Sequence, residues 1–179
     1  MEFRKKVQLA SIATVVLIIS GCASREAPAP RPAAPVAIVP AVAALAPAIY
    51  MQVAASTSLF AVRASELVAQ RSSDPRLRDV AWTIAQDQRG IGSQLNFAGR
   101  RLNLLPSAAL TETQAADLQR LSSASDADSL YRQMMISALN RSYQAHSAFA
   151  AKGASPTLRP VAKMAAPATR RNLQQLRSR

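Results

Sequence analysis

Side chains capable of chemistry are few in this chain of 179 residues, and each can be weighed in turn. There is one histidine, His146, and one cysteine, Cys22. An imidazole can ligate a metal or carry a proton near neutral pH. A single histidine, without a Glu four residues away, makes a poor metal site, so the plainer reading of His146 is a helix-flank residue with a water or carboxylate partner. Asp87 reads the same way: an oxygen donor if turned inward, otherwise a helix-surface acid pairing with a nearby arginine. Tyr131 carries a hydroxyl that suits either a functional partner or a core position. Met134 and Met135 read as core filling rather than a soft-metal site, because the other three methionines are scattered. Arg100 and Arg101 could grip a phosphate, or complement the dipole at a helix C-terminus. Serine and histidine are not arranged as a nucleophile pair, and there is no glycine-rich phosphate loop. We therefore expect no catalytic residue, no metal ligand and no cofactor, and an enzyme is not the expectation.

Cys22 has a different chemistry in prospect. Arg4, Lys5 and Lys6 form a basic start, and Val7 to Ser20 is an apolar run of 14 residues, too short to span a bilayer. It ends in Ile19-Ser20-Gly21-Cys22. This resembles a bacterial lipoprotein signal, which implies diacylglycerol on the Cys22 sulfur, cleavage after residue 21 and acylation of the new amino terminus. Two or three acyl chains anchor stably, at ~0.8 kcal/mol for each buried CH₂. Lipidation leaves no cysteine for a disulfide, a thiolate ligand or a nucleophile. Residue 23 is Ala rather than the Asp that retains many lipoproteins in the inner membrane, which favours the outer membrane, facing the periplasm.

The formal charge is +12, and cleavage before Cys22 would remove three cations and one anion, leaving +10. That balance favours anionic partners: in an envelope, lipid head groups, lipopolysaccharide or acidic glycans. Nucleic acid is not expected, since no recognition motif is present and aromatics do not interleave with the basic residues. The bland alternative is a solvated surface of dispersed arginines.

The elements that must position these residues are helices. Three segments are expected: residues 1–21 as the signal, 22–47 as the lipidated N-terminus and Pro/Ala-rich linker, and 48–179 as the folded domain. Extended at ~3.1 Å per residue, the linker could reach roughly 75 Å. Ala41 to Leu45 could form a short helical turn. In the domain, the longest element runs from Asp74, a good N-cap, with Pro75 at the first helical position, to Asn103-Leu-Leu-Pro106. Leu77, Ala81, Ile84, Ile91, Leu95, Ala98 and Leu102 recur in steps of four and three, interrupted by Gln88 on the core-facing stripe. A helix over 48–71 precedes it, with a seam of Val53, Thr57, Phe60, Ala64, Leu67 and Val68 and with Ala61 beside it. A short helix over 114–121 is capped by Thr111 or Thr113. A third long helix, 126–152, buries Tyr131, Met134, Met135, Ala138, Leu139, Ser142, Ala145 and Phe149. Gly153 is the expected left-handed C-terminal residue. A fourth begins at Ser155 and Pro156 with the seam Leu158, Ala162, Ala165, Thr169, Asn172 and Leu176; Pro167 should kink it. The expectation is an all-α antiparallel four-helix bundle, with an extra short helix between helices two and three.

Several stretches in this order are similar to those of a bacterial ferritin-like family, domain of unknown function 4142. They are Ala54-Ala55 with Ser65-Glu-Leu67, Asp74-Pro-Arg-Leu-Arg-Asp-Val-Ala81, Ala98-Gly-Arg-Arg-Leu-Asn-Leu-Leu-Pro106, Leu130-Tyr131, and Gly153 through Thr157-Leu-Arg-Pro-Val-Ala162 to Pro167. The resemblance implies a ferritin-like bundle, common in secreted and envelope proteins. Its members carry an acid inside helix one and histidines inside helices two, three and four, converging as metal donors. In this chain the four positions fall at Ala61, Gln88, Leu139 and Asn172, so all are substituted; Asp87 keeps the aspartate that precedes the helix-two histidine. What remains is an expected polar core drawn from Thr57, Asp87, Gln88, His146 and Asn172. Gln88 and Asn172 should bond to each other or to a trapped water, with Thr57, Ser142 and Thr169 as further partners. The expected role is a non-enzymatic structural or interaction module on a lipid anchor. The alternatives are a metal-binding ferritin-like protein, or a binder of anionic envelope polymers through its arginines.

Overall fold

The computed structural model describes residues 46–105 and 109–178, all within one compact unit, Val39–Arg179. The signal, Cys22, the linker before Ala46, the Ala41–Leu45 turn and Pro106 lie outside the described residues. Those described form five helices and no strand: α1 Pro47–Arg71, α2 Pro75–Leu102, α3 Glu112–Ser123, α4 Ala127–Lys152 and α5 Arg159–Arg177.

The helix ends follow from local chemistry. The Asp74 carboxylate accepts from the Arg76 N–H at 2.9 Å, and Pro75 follows where no donor is needed. Asn103, in the left-handed conformation at φ 55°, closes α2. The Leu104 N–H then reaches back to the Gly99 carbonyl at 2.9 Å and the Asn103 N–H to Arg100 at 3.5 Å, so the stop is a Schellman motif. Thr111 and Gln114 form a capping box on α3, with bonds of 3.2 and 2.9 Å. Asp126 caps α4 through the Ser129 N–H at 3.0 Å.

Two ends differ from expectation. Gly153 is not left-handed but has φ −62°; a side chain there would meet the Phe149 ring at 2.4 Å and the Phe149 carbonyl at 2.5 Å, so glycine is needed for space. At the next boundary Ser155 accepts from the Leu158 N–H at 3.3 Å, but this closes a turn over 156–158, and α5 begins at Arg159. The helix runs on through Pro167.

Neighbouring long helices pack as α1–α2, α2–α5, α5–α4 and α4–α1, which closes a ring of four. At one end, Tyr50 of α1 stacks on Phe149 of α4 at 4.0 Å. At the other, Ser72 bonds Asp128 at 2.7 Å, Arg132 bonds Asp74 at 3.2 Å, and Arg132 reaches the Leu176 carbonyl at 3.4 Å. Every adjacent pair is therefore antiparallel. The chain between α2 and α4 must return along the bundle's length, and α3 makes that return across α1 and α4. One long crossover in a four-helix bundle is the ferritin-like connectivity.

The core is split. One apolar cluster, toward the α1 C-terminus, includes Phe60, Ala61, Val68, Leu77, Ile84, Tyr131, Met135, Leu139 and Leu173. The other, toward the α1 N-terminus, includes Tyr50, Met51, Ala54, Ile91, Leu95, Phe149, Leu158 and Ala165. Many of these residues are alanines, which bring the helix axes close. The residues expected on the α2 and α5 seams are buried, apart from the half-buried Leu102, and Ala85, Gly99, Val161, Ala168 and Leu173 join them. On α4, His146 is buried where Ala145 had been placed. On α1 the seam is rotated: Val53 is 39% exposed, and the innermost line is Ala54, Ser58, Ala61, Ser65 and Val68. A hydrophobic count demotes serines, yet their small volume suits the close approach of α2.

Candidate functional site: a buried polar layer

Between the two clusters each long helix turns polar side chains inward. α1 contributes Ser58, α2 Gln88, α4 Ser142 and His146, and α5 Thr169 and Asn172; all are buried. Their levels along the helices agree. Gln88 lies between Ile84 of one cluster and Ile91 of the other, and Asn172 and Thr169 lie between Leu173 and Ala168.

Part of the layer is internally bonded. Ser58 donates its hydroxyl to Gln88 Oε1 at 3.1 Å. His146 is held at both ring nitrogens, by the Tyr50 hydroxyl on Nδ1 at 3.0 Å and by Ser142 Oγ on Nε2 at 3.1 Å. The Tyr50 ring also meets the imidazole edge-on at 5.7 Å. A neutral imidazole has one donor and one acceptor, and two hydroxyls satisfy both. Among the described residues no carboxylate bonds the imidazole, and burial lowers the His146 pKa from 6.5 to about 4. Burial likewise pushes the Tyr50 phenol upward, and that of Tyr131, which shares a hydrogen bond with Ser65 at 2.8 Å one level away.

The rest is not bonded. Gln88 Nε2, Thr169 Oγ1 and both amide atoms of Asn172 are buried without a hydrogen-bond partner among the described protein atoms. The expected direct bond between Gln88 and Asn172 is thus not formed; Ser58 takes one end of the Gln88 amide instead. Two further expectations are corrected. Thr57 faces a groove beneath α3, lined also by Phe60, Gln114, Arg120 and Arg141, and takes no part in the layer. Asp87 is half-buried and lines an open groove between α2 and α5 with Arg171 and Met164, one residue round the helix from Gln88. His146 is not a helix-flank residue; it is fully buried, with hydroxyl rather than water or carboxylate partners.

A family profile described as Domain of unknown function (DUF4142) matches residues 31–178. The chain belongs to this family. No curated protein and no solved structure matches it.

Of the four positions that the DUF4142 resemblance assigns to metal donors, Gln88 and Asn172 lie in the polar layer, whereas Ala61 and Leu139 lie in the apolar cluster beside it. The donor chemistry does not fit a transition metal. Amide and hydroxyl oxygens are weak neutral donors, and both His146 nitrogens are engaged. Among the described residues, no three of His, Cys, Asp and Glu come together. Sequence reasoning missed Tyr50 and Ser58 as members of the layer. A signal was available: Ser58, Ser65 and Ser72 stand one heptad apart, and all three are buried and hydrogen-bonded.

Proposed function

We propose that this DUF4142 protein is a lipid-anchored envelope protein whose bundle serves as a non-enzymatic structural or interaction module. One observation carries the second half of this reading: the polar groups that could do chemistry are sealed inside the bundle, as neutral amides, hydroxyls and an imidazole with both nitrogens occupied. Catalysis needs a reacting group within reach of substrate, and neither Ser142 nor His146 is accessible. The anchor rests on the Ile19-Ser20-Gly21-Cys22 motif. Outer-membrane sorting follows from Ala23, and the Pro/Ala linker would hold the bundle off the lipid surface. Among the described residues no helix is long and apolar enough to cross a membrane.

Intact-mass analysis of the protein isolated from its native envelope tests both parts. A diacylglyceryl mass on Cys22, with no tightly held metal in the same preparation, is the expected result. An unmodified thiol overturns the anchor; a stoichiometric metal overturns the module. A second reading, binding of anionic envelope polymers, draws on the surplus of arginine over acidic residues; in the groove beneath α3, Arg141 stands among hydroxyl and amide side chains, whereas Arg120 is already paired with Asp117 at 3.0 Å. It predicts binding to lipopolysaccharide that weakens as salt is raised.

A further inference from the structure

The unpartnered atoms of the layer set a problem that the protein alone does not solve. Each buried polar atom left without a hydrogen bond costs about 1–3 kcal/mol, and four such atoms occur on one helix pair, α2 and α5. Reversing an amide does not remove the deficit. Ser58 can give to an amide oxygen or receive from an amide nitrogen, so one end of Gln88 is spare in either orientation. Asn172 has both ends spare, and Thr169, three residues earlier on the same face, adds a hydroxyl. The spare set therefore holds donors from both amides, one amide acceptor and a hydroxyl that can act as either.

We infer that this α2–α5 seam holds ordered internal water, with at least one molecule bridging the Gln88 amide to Asn172 and Thr169. Water is the ligand whose chemistry matches: it donates two hydrogen bonds and accepts two, and buried waters typically make about three. Ser58 bonds Gln88, and Ala85 and Ala165 are buried one helical turn before Gln88 and Thr169, so small residues adjoin the unpartnered atoms on both helices. A cation has no anionic donor here: Asp87 points to the outer groove, and among the described residues no acidic side chain is buried in the core. The water would tie α2 to α5 as Ser58 ties α1 to α2. This inference rests on the proposed absence of a metal centre, and one experiment separates the two.

The test is a crystal structure of the full chain at a resolution that shows ordered solvent, with anomalous data collected at the zinc and iron absorption edges. The expected result is a water oxygen at about 2.7–3.2 Å from the Gln88 amide and from Asn172 or Thr169, without anomalous signal. A direct Gln88–Asn172 hydrogen bond with no solvent between them overturns the inference and leaves the non-metal module standing. An anomalous peak at about 2.0–2.2 Å from these side chains overturns both.

Discussion

At the scale of single residues, the layer makes stability depend on pH in a definite direction. His146 has its folded pKa lowered to about 4 against 6.5 in the unfolded chain. Below pH 6.5 the unfolded chain therefore binds a proton that the folded chain refuses. Stability is full above that point, falls as pH drops, and levels off below about 4, with a total loss on the order of 3 kcal/mol. Urea unfolding from pH 8 to pH 4 should show this slope, and His146→Leu should flatten it while lowering stability at pH 8, because Tyr50 and Ser142 lose their shared partner. A slope unchanged in the variant would mean that other groups carry the effect. Gln88→Leu removes the acceptor of Ser58 and a polar neighbour of Asn172, so it should cost about 1–2 kcal/mol despite the more apolar side chain. Leucine at both Gln88 and Asn172 should recover part of that loss in the same unfolding assay. His146 was legible as the one histidine but not as a core residue, because its partners are hydroxyls on Tyr50 and Ser142, 96 and 4 residues away, and only the folded bundle brings the first of them near.

At the scale of elements, legibility followed the kind of signal each helix carries. The α2 seam could be read almost in full, Gln88 included, because its spacing is regular; the small residues Ala85 and Gly99 escaped it. The α1 seam could not, since its inner line mixes alanine and serine while Val53 and Leu67 lie at the flank. The same contrast governs the helix ends. Pro106 marked where α2 stops, but the stop itself is made by Asn103 and by the close approach of Gly99 to the next turn. A Cβ at Gly99 would meet the Leu104 carbonyl at 2.6 Å and the Met51 methyl at 2.9 Å. Gly99→Ala should therefore destabilise the bundle by about 1–3 kcal/mol, even though alanine favours helix. Asn103→Gly, at φ 55°, should instead be neutral or stabilise by up to about 1 kcal/mol. Thermal unfolding of the two variants checks both signs; a stabilising Gly99→Ala would show that the α2 end packs less closely than described.

At the scale of the whole molecule, helix number and order were present in the sequence, since caps and prolines punctuate it clearly, but the crossover through α3 follows only from the packing. Which polar residues meet across the ring was not, because that depends on the relative rotation of four helices, and one residue's rotation of α1 exchanges Thr57 for Ser58. The proposed anchor predicts that Cys22→Ser releases or mislocalises the protein, which membrane fractionation would detect; a variant that fractionates as the native chain does would contradict it. A polar layer of neutral side chains at the centre of the bundle is expected to bind no transition metal. Thermal unfolding of the purified protein with and without micromolar zinc, iron or manganese tests it most directly. The expected result is an unchanged midpoint with each metal, in the native chain and in Gln88→Leu alike. A rise of several degrees in the native chain, abolished by Gln88→Leu, would contradict it.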